Sequence, residues 1–120
     1  MMSTLHEQLR RRTKQFAMRI VRLFQSLPKT DEARIVGKQL LRAGTSVAAN
    51  YRAVGRARSK AEFVAKMGVV VEEADETVFW LELLIDTGIV PERQMEELLT
   101  EANELLAIFA ASHGTAKSRS

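Results

Sequence analysis

Five cations on one stripe of a single helical segment are the residues best suited to chemistry. Taken at ~100° per residue, Lys38, Arg42, Arg52 and Arg56 fall within about 80° of Arg34. Thr45 and Ala49 share the stripe and leave an uncharged gap between two cation clusters. Such a row can neutralise a run of phosphates, where affinity comes from counterion release and falls steeply with salt. It can equally be a solvated helix face or a dock for an acidic protein, and the row itself does not choose among the three. Arg10, Arg11, Arg12, Lys14, Arg19 and Arg22 add charge upstream, spread around several sides of their own segment. The nearest aromatic, Tyr51, falls on the apolar side, which argues against a stacking platform for unpaired bases.

The acidic residues form the counterpart. Glu62, Glu72, Glu73, Asp75, Glu76, Glu82 and Asp86 flank one later segment, and Glu96, Glu97, Glu101 and Glu104 line the next. A carboxylate-bridged metal pair inside a helical bundle needs Glu-x-x-His pairs pointing inward. His6 and His113 sit in no such motif, so neither a metal nor another cofactor is expected. No Ser/His/Asp set or phosphate-cradling glycine loop is present, and the reading is non-enzymatic. Trp80 lies about 100° from Leu81, on the side shared with Val69, Glu73 and Glu76. Those four residues are either a subunit contact anchored by the indole or a broad edge of the core.

Four amphipathic helices must position these groups. Leu5, Leu9, Phe16, Ile20, Leu23, Phe24 and Leu27 share one face of the first, and Pro28 ends it by disfavouring helix at Leu27. Thr30 caps the second, with Asp31 and Glu32 in its first turn. Its apolar arc runs from Ala33 through Leu40, Val47 and Tyr51 to Val54, and Gly37 and Gly44 beside it allow a neighbour close approach. Ser59-Lys60-Ala61-Glu62 reads as a capping box opening the third helix, which Gly88 stops. Pro91 starts the fourth. The expected spans are roughly 4–27, 31–55, 60–87 and 91–112, with a frayed tail over 113–120. With no strand candidate, this is an all-α, up-down-up-down four-helix bundle in one domain.

The charge is segregated. Residues 1–60 hold 14 Lys/Arg against three acids, and residues 61–120 hold four against 12, so the net +3 conceals +11 and −8. Two such halves suit an anionic partner or mating faces in an assembly. The chain has no cysteine, which excludes disulfides and thiolate chemistry and fits a reducing cytoplasm. Neither a signal-peptide pattern nor an apolar run of membrane-spanning length is seen, so a soluble, cytoplasmic protein is expected.

The run Gln39-Leu40-Leu41-Arg42-Ala43-Gly44-Thr45-Ser46-Val47-Ala48-Ala49-Asn50, followed by Gly55, resembles the bundle proteins named after intervening sequences in bacterial 23S rRNA genes. The likeness covers roughly residues 16–110, including the capping turn and the start of the third helix at Phe63. Val54 stands where that family carries a glutamate. The resemblance implies a ring-forming homo-oligomer, typically a pentamer. It also implies kinship with the accessory proteins of diversity-generating retroelements, which associate with a reverse transcriptase and nucleic acid. The leading expectation is therefore RNA or DNA binding through Arg34, Lys38, Arg42, Arg52 and Arg56. The competing one is a structural oligomer or protein adaptor whose basic and acidic faces mate between subunits.

Overall fold

Caps and breakers set the ends of the helices. The structure, a computed structural model, describes residues 4–119, in which four helices follow one another: α1 (Leu5–Ser26), α2 (Asp31–Val54), α3 (Lys60–Asp86) and α4 (Glu92–Ser118). Thr30 Oγ1 accepts the Ala33 N–H at 3.3 Å, and Ser59 Oγ accepts that of Glu62 at 3.0 Å. The carboxylate of Glu62 lies 3.9 Å from Lys66 Nζ, one turn along the helix. Leu27 is extended before Pro28, and Gly88 turns the chain at φ +74°, a conformation that favours glycine. Both breaks fall where the sequence places them.

Each helix packs on the next and α4 closes back on α1, giving the up-down-up-down bundle with no strand among the described residues. Phe16 and Ile20 of α1, Leu40 and Val47 of α2, Val70 and Leu81 of α3, and Leu105 and Phe109 of α4 fill the core. Val54 belongs to the same core. The buried hydroxyls of Thr13 and Thr77 donate to carbonyls one turn back, Leu9 O and Glu73 O, so neither is left unpaired. Leu5, expected on the apolar face of α1, is 68% exposed because it opens the helix at the rim of the bundle.

The last helix runs further than the sequence suggests. Residues 113–118, expected to fray, continue α4 to Ser118, while Ser120 lies outside the described residues. No proline interrupts that segment, and Gly114 costs only about 1 kcal/mol against alanine. The side chain of His113 also settles over Gly68 of α3, where a Cβ would come within 3.2 Å of Nε2.

Helix α1 meets its two neighbours unequally. A Cβ on Gly37 would fall 2.6 Å from Leu27 Cδ1, and one on Gly44 2.9 Å from Ile20 Cγ1, so these glycines let α1 and α2 close up. The α1–α4 seam is far sparser.

Candidate nucleic-acid interface

Because α1 pairs with α2 and α3 with α4, the two sequence halves become two hairpins, one basic and one acidic. An arginine of the basic hairpin crosses each seam to a pair of glutamates. Arg12 of α1 grips Glu101 of α4 through Nε (2.8 Å) and Nη2 (2.7 Å), and Nη2 also reaches Glu104 at 3.2 Å. Donating to the Glu101 carboxylate holds the Arg12 pKa above its usual value. Arg42 of α2 donates to Glu73 (3.2 Å) and Glu76 (2.8 Å) of α3. Part of the charge asymmetry thus acts inside the subunit, joining one hairpin to the other.

These contacts divide the helix-2 stripe. Arg34 and Lys38 lie at the α1–α2 turn, beside a groove of about 290 Å³ that also takes in Phe24, Pro28 and Lys29. Arg42 leans the other way, onto α3. Arg52 faces α1, and Arg56 is exposed just past the end of α2. Of the five exposed cations, Arg42 is thus engaged by α3, while Arg34 and Lys38 border one groove on the α1 side and Arg52 another. A projection of one helix cannot reveal this, because the side to which each edge of the stripe turns depends on the neighbouring helices.

The four residues grouped around Trp80 are placed with equal definition. Val69 is 41% exposed, while Glu73 and Glu76 are occupied by Arg42. Trp80 is half-buried against the core, and its buried indole N–H meets no acceptor among the described residues. Phe79 packs edge-on against Trp80 and is 53% exposed, and Ile35 of α2 is 65% exposed.

A different set of cations converges. Arg10, Arg11 and Lys14 of α1 and Arg52 of α2 border a groove of about 550 Å³ that includes Thr45, Ala48 and Ala49 of α2, with Glu7 as its one carboxylate. The small side chains of Thr45, Ala48 and Ala49 open the groove. The uncharged gap in the stripe is thus part of a cleft between cations. Arg10 and Lys14 stand four residues apart, the spacing of one helical face, and that was the available signal for the α1 side.

Comparison with known proteins agrees with this architecture. A model of the 23S rRNA-intervening sequence protein family matches residues 6–111. The chain belongs to that family. It is also similar to a crystal structure from Bacteroides thetaiotaomicron described as a protein with unknown function from the S23 ribosomal protein family. The two share 33% identity over 91% of this chain and 97% of that one, with a TM-score of 0.83. No curated protein matches the chain.

Within this family framework, charge is also graded along the bundle. The up-down topology gathers the start of α1, the end of α2, the start of α3 and the end of α4 at one end. Divided at the helix midpoints, that end carries eleven Lys/Arg and four Asp/Glu, and the opposite end seven and eleven. The groove lies at the basic end, where field lines from neighbouring cations add. His6 and Tyr51 close the same end: His6 Nδ1 lies 3.1 Å from the Tyr51 hydroxyl, and Tyr51 stacks on Phe109. Burial pushes the Tyr51 phenol above its usual pKa. Among the described residues, no helix is long and apolar enough to cross a membrane.

Proposed function

We propose that this family member binds RNA through the α1–α2 groove, with Arg10, Arg11, Lys14 and Arg52 facing the phosphate backbone. The observation that carries this reading is the convergence of four cations from two helices around a cleft lined by small residues. Basic side chains on both sides of a shallow cleft suit a phosphate ridge better than a single row does, and contacts of this kind position a strand without reading its bases. Arg34 and Lys38 form a separate, weaker patch, and Arg42 is engaged by Glu73 and Glu76. Electrophoretic retention of a structured RNA across a salt series tests this. Arg10→Glu with Arg52→Glu should abolish retention, while Arg34→Glu with Lys38→Glu should weaken it mildly. The logarithmic salt slope should be about −3 to −4 for four duplex phosphate contacts. Retention unchanged by the first pair of reversals would refute the reading.

A second reading concerns assembly and is compatible with the first. We infer that copies of the chain associate, as a ring of the pentameric kind, through the face carrying Val69, Phe79 and Trp80. Exposed Phe79, packed edge-on against Trp80, and exposed Val69 on the same helix support this, since large exposed apolar groups favour a contact. Glu73 and Glu76 already serve Arg42, so apolar burial rather than charge should dominate. Light scattering should give an oligomer mass insensitive to salt and reduced to the monomer by Phe79→Glu. An oligomer that persists in that variant would place the contact elsewhere.

A further inference from the structure

A second groove opens at the basic end, on the acidic hairpin. Lys60 and Phe63, from the first turn of α3, face Ala111, Ser112, Thr115, Ala116 and Arg119 of α4 across about 530 Å³. Phe63 is half-buried, packing against the core while it lines this groove. The opposite wall is made of small side chains, and exposed Lys60 and Arg119 stand beside it. An aromatic ring and two cations bordering one slot can hold an unpaired base, because every base has a face to stack and every linkage a charge. The connection between the helices links this groove to the first. Arg52 lines the α1–α2 groove, Lys60 lines this one, and exposed Arg56 and Arg58 lie between them in the chain.

We propose that the basic end of the bundle takes a single strand of RNA, which leaves the α1–α2 groove, passes Arg56 and Arg58 and stacks a base on Phe63 between Lys60 and Arg119. This rests on the RNA reading above and narrows it to an unpaired segment. Tyr51, the aromatic nearest the helix-2 stripe, is buried in the core as its position on the apolar side implied, and the proposed platform lies on α3 instead. A duplex has no unstacked base to offer, so it engages the first groove and gains nothing from Phe63.

Retention of a short oligo(U) and of a blunt RNA hairpin whose strands are joined by a non-nucleotide linker, so that it has no unpaired base, tests this on the whole protein. Phe63→Leu is expected to weaken oligo(U) binding about tenfold while leaving the hairpin nearly unchanged, and Phe63→Tyr to keep full binding. Photocrosslinking of bromouridine-substituted oligo(U) to the unsubstituted protein should label the peptide containing Phe63, and this readout stands even where Phe63→Leu loosens the helix ends. Crosslinks confined to α1 and α2, equal oligo(U) binding by wild type and Phe63→Leu, or an equal loss for both RNAs from a folded Phe63→Leu overturns the proposal. Hairpin and oligo(U) both lost on Arg10→Glu with Arg52→Glu, but untouched by Phe63→Leu, would leave the groove reading standing and remove this one. Retention of neither RNA by the wild type at low salt removes both.

Discussion

Helix α1 is held on its two flanks by different physics. Toward α2 it closes onto glycine, with Ile20 against Gly44 and Leu27 against Gly37. Toward α4 the backbones stay apart and Arg12 spans the seam to Glu101 and Glu104. The first flank is short-ranged and indifferent to salt, because packed methyl groups resist any added atom. The second tolerates movement but weakens as ions screen it. One helix thus has a rigid side and a compliant side.

The largest effect should come from crowding the rigid side. Gly44→Val pushes branched carbons into Ile20, which is fully buried, and should cost about 2–3 kcal/mol in urea denaturation, equally at low and high salt. A cost that shrinks with salt would break the distinction between the flanks.

Removing the staple should cost less. Arg12→Ala gives up a two-pronged, charge-assisted grip on half-buried Glu101, an expected loss of about 1 kcal/mol that diminishes in high salt. Arg42→Ala sharpens the contrast, since its guanidinium is half exposed on a closely packed seam and its loss should be about 0.5 kcal/mol or less. Equal losses at the two arginines would mean that seam packing does not govern the strength of the staple.

Tyr51 offers the smallest and most local test of the rigid side. It is the sole tyrosine, so its ionisation can be followed by absorbance without ambiguity. Burial raises its folded pKa above the unfolded value of about 10. Its contribution to stability is therefore complete below pH ~10 and is lost as pH rises through the folded pKa, because the unfolded chain releases its proton first. An absorbance midpoint above the model-peptide value, with stability declining over the same range, is the expected result. A midpoint at the model-peptide value would mean that the ring is reached by water. Tyr51→Phe should remove the step.

The helices were legible because their signals are local. Thr30, Ser59, Pro28 and Gly88 act within a turn of themselves, and the apolar arcs repeat inside each segment. Gly37 and Gly44 announced a close neighbour without saying which helix it was. The site was less legible, since a groove belongs to two helices at once. Arg10 and Arg52 are 42 positions apart, and their meeting depends on the rotation of α1 against α2. Arg42 shared a stripe with Arg52 in projection until α3 supplied its glutamates. The extension of α4 was hidden for the same reason, because His113 finds Gly68 only after folding.

The indole of Trp80 has a consequence of its own. Its N–H is buried and meets no acceptor among the described residues, so packing and not a polar bond keeps the ring in place. Turning outward would let that N–H gain a bond to water, whereas a satisfied tryptophan would first have to break one. The side chain is therefore poised like a latch without a catch. Because it is the only tryptophan, its emission colour reports directly whether the ring stays packed or has turned into water.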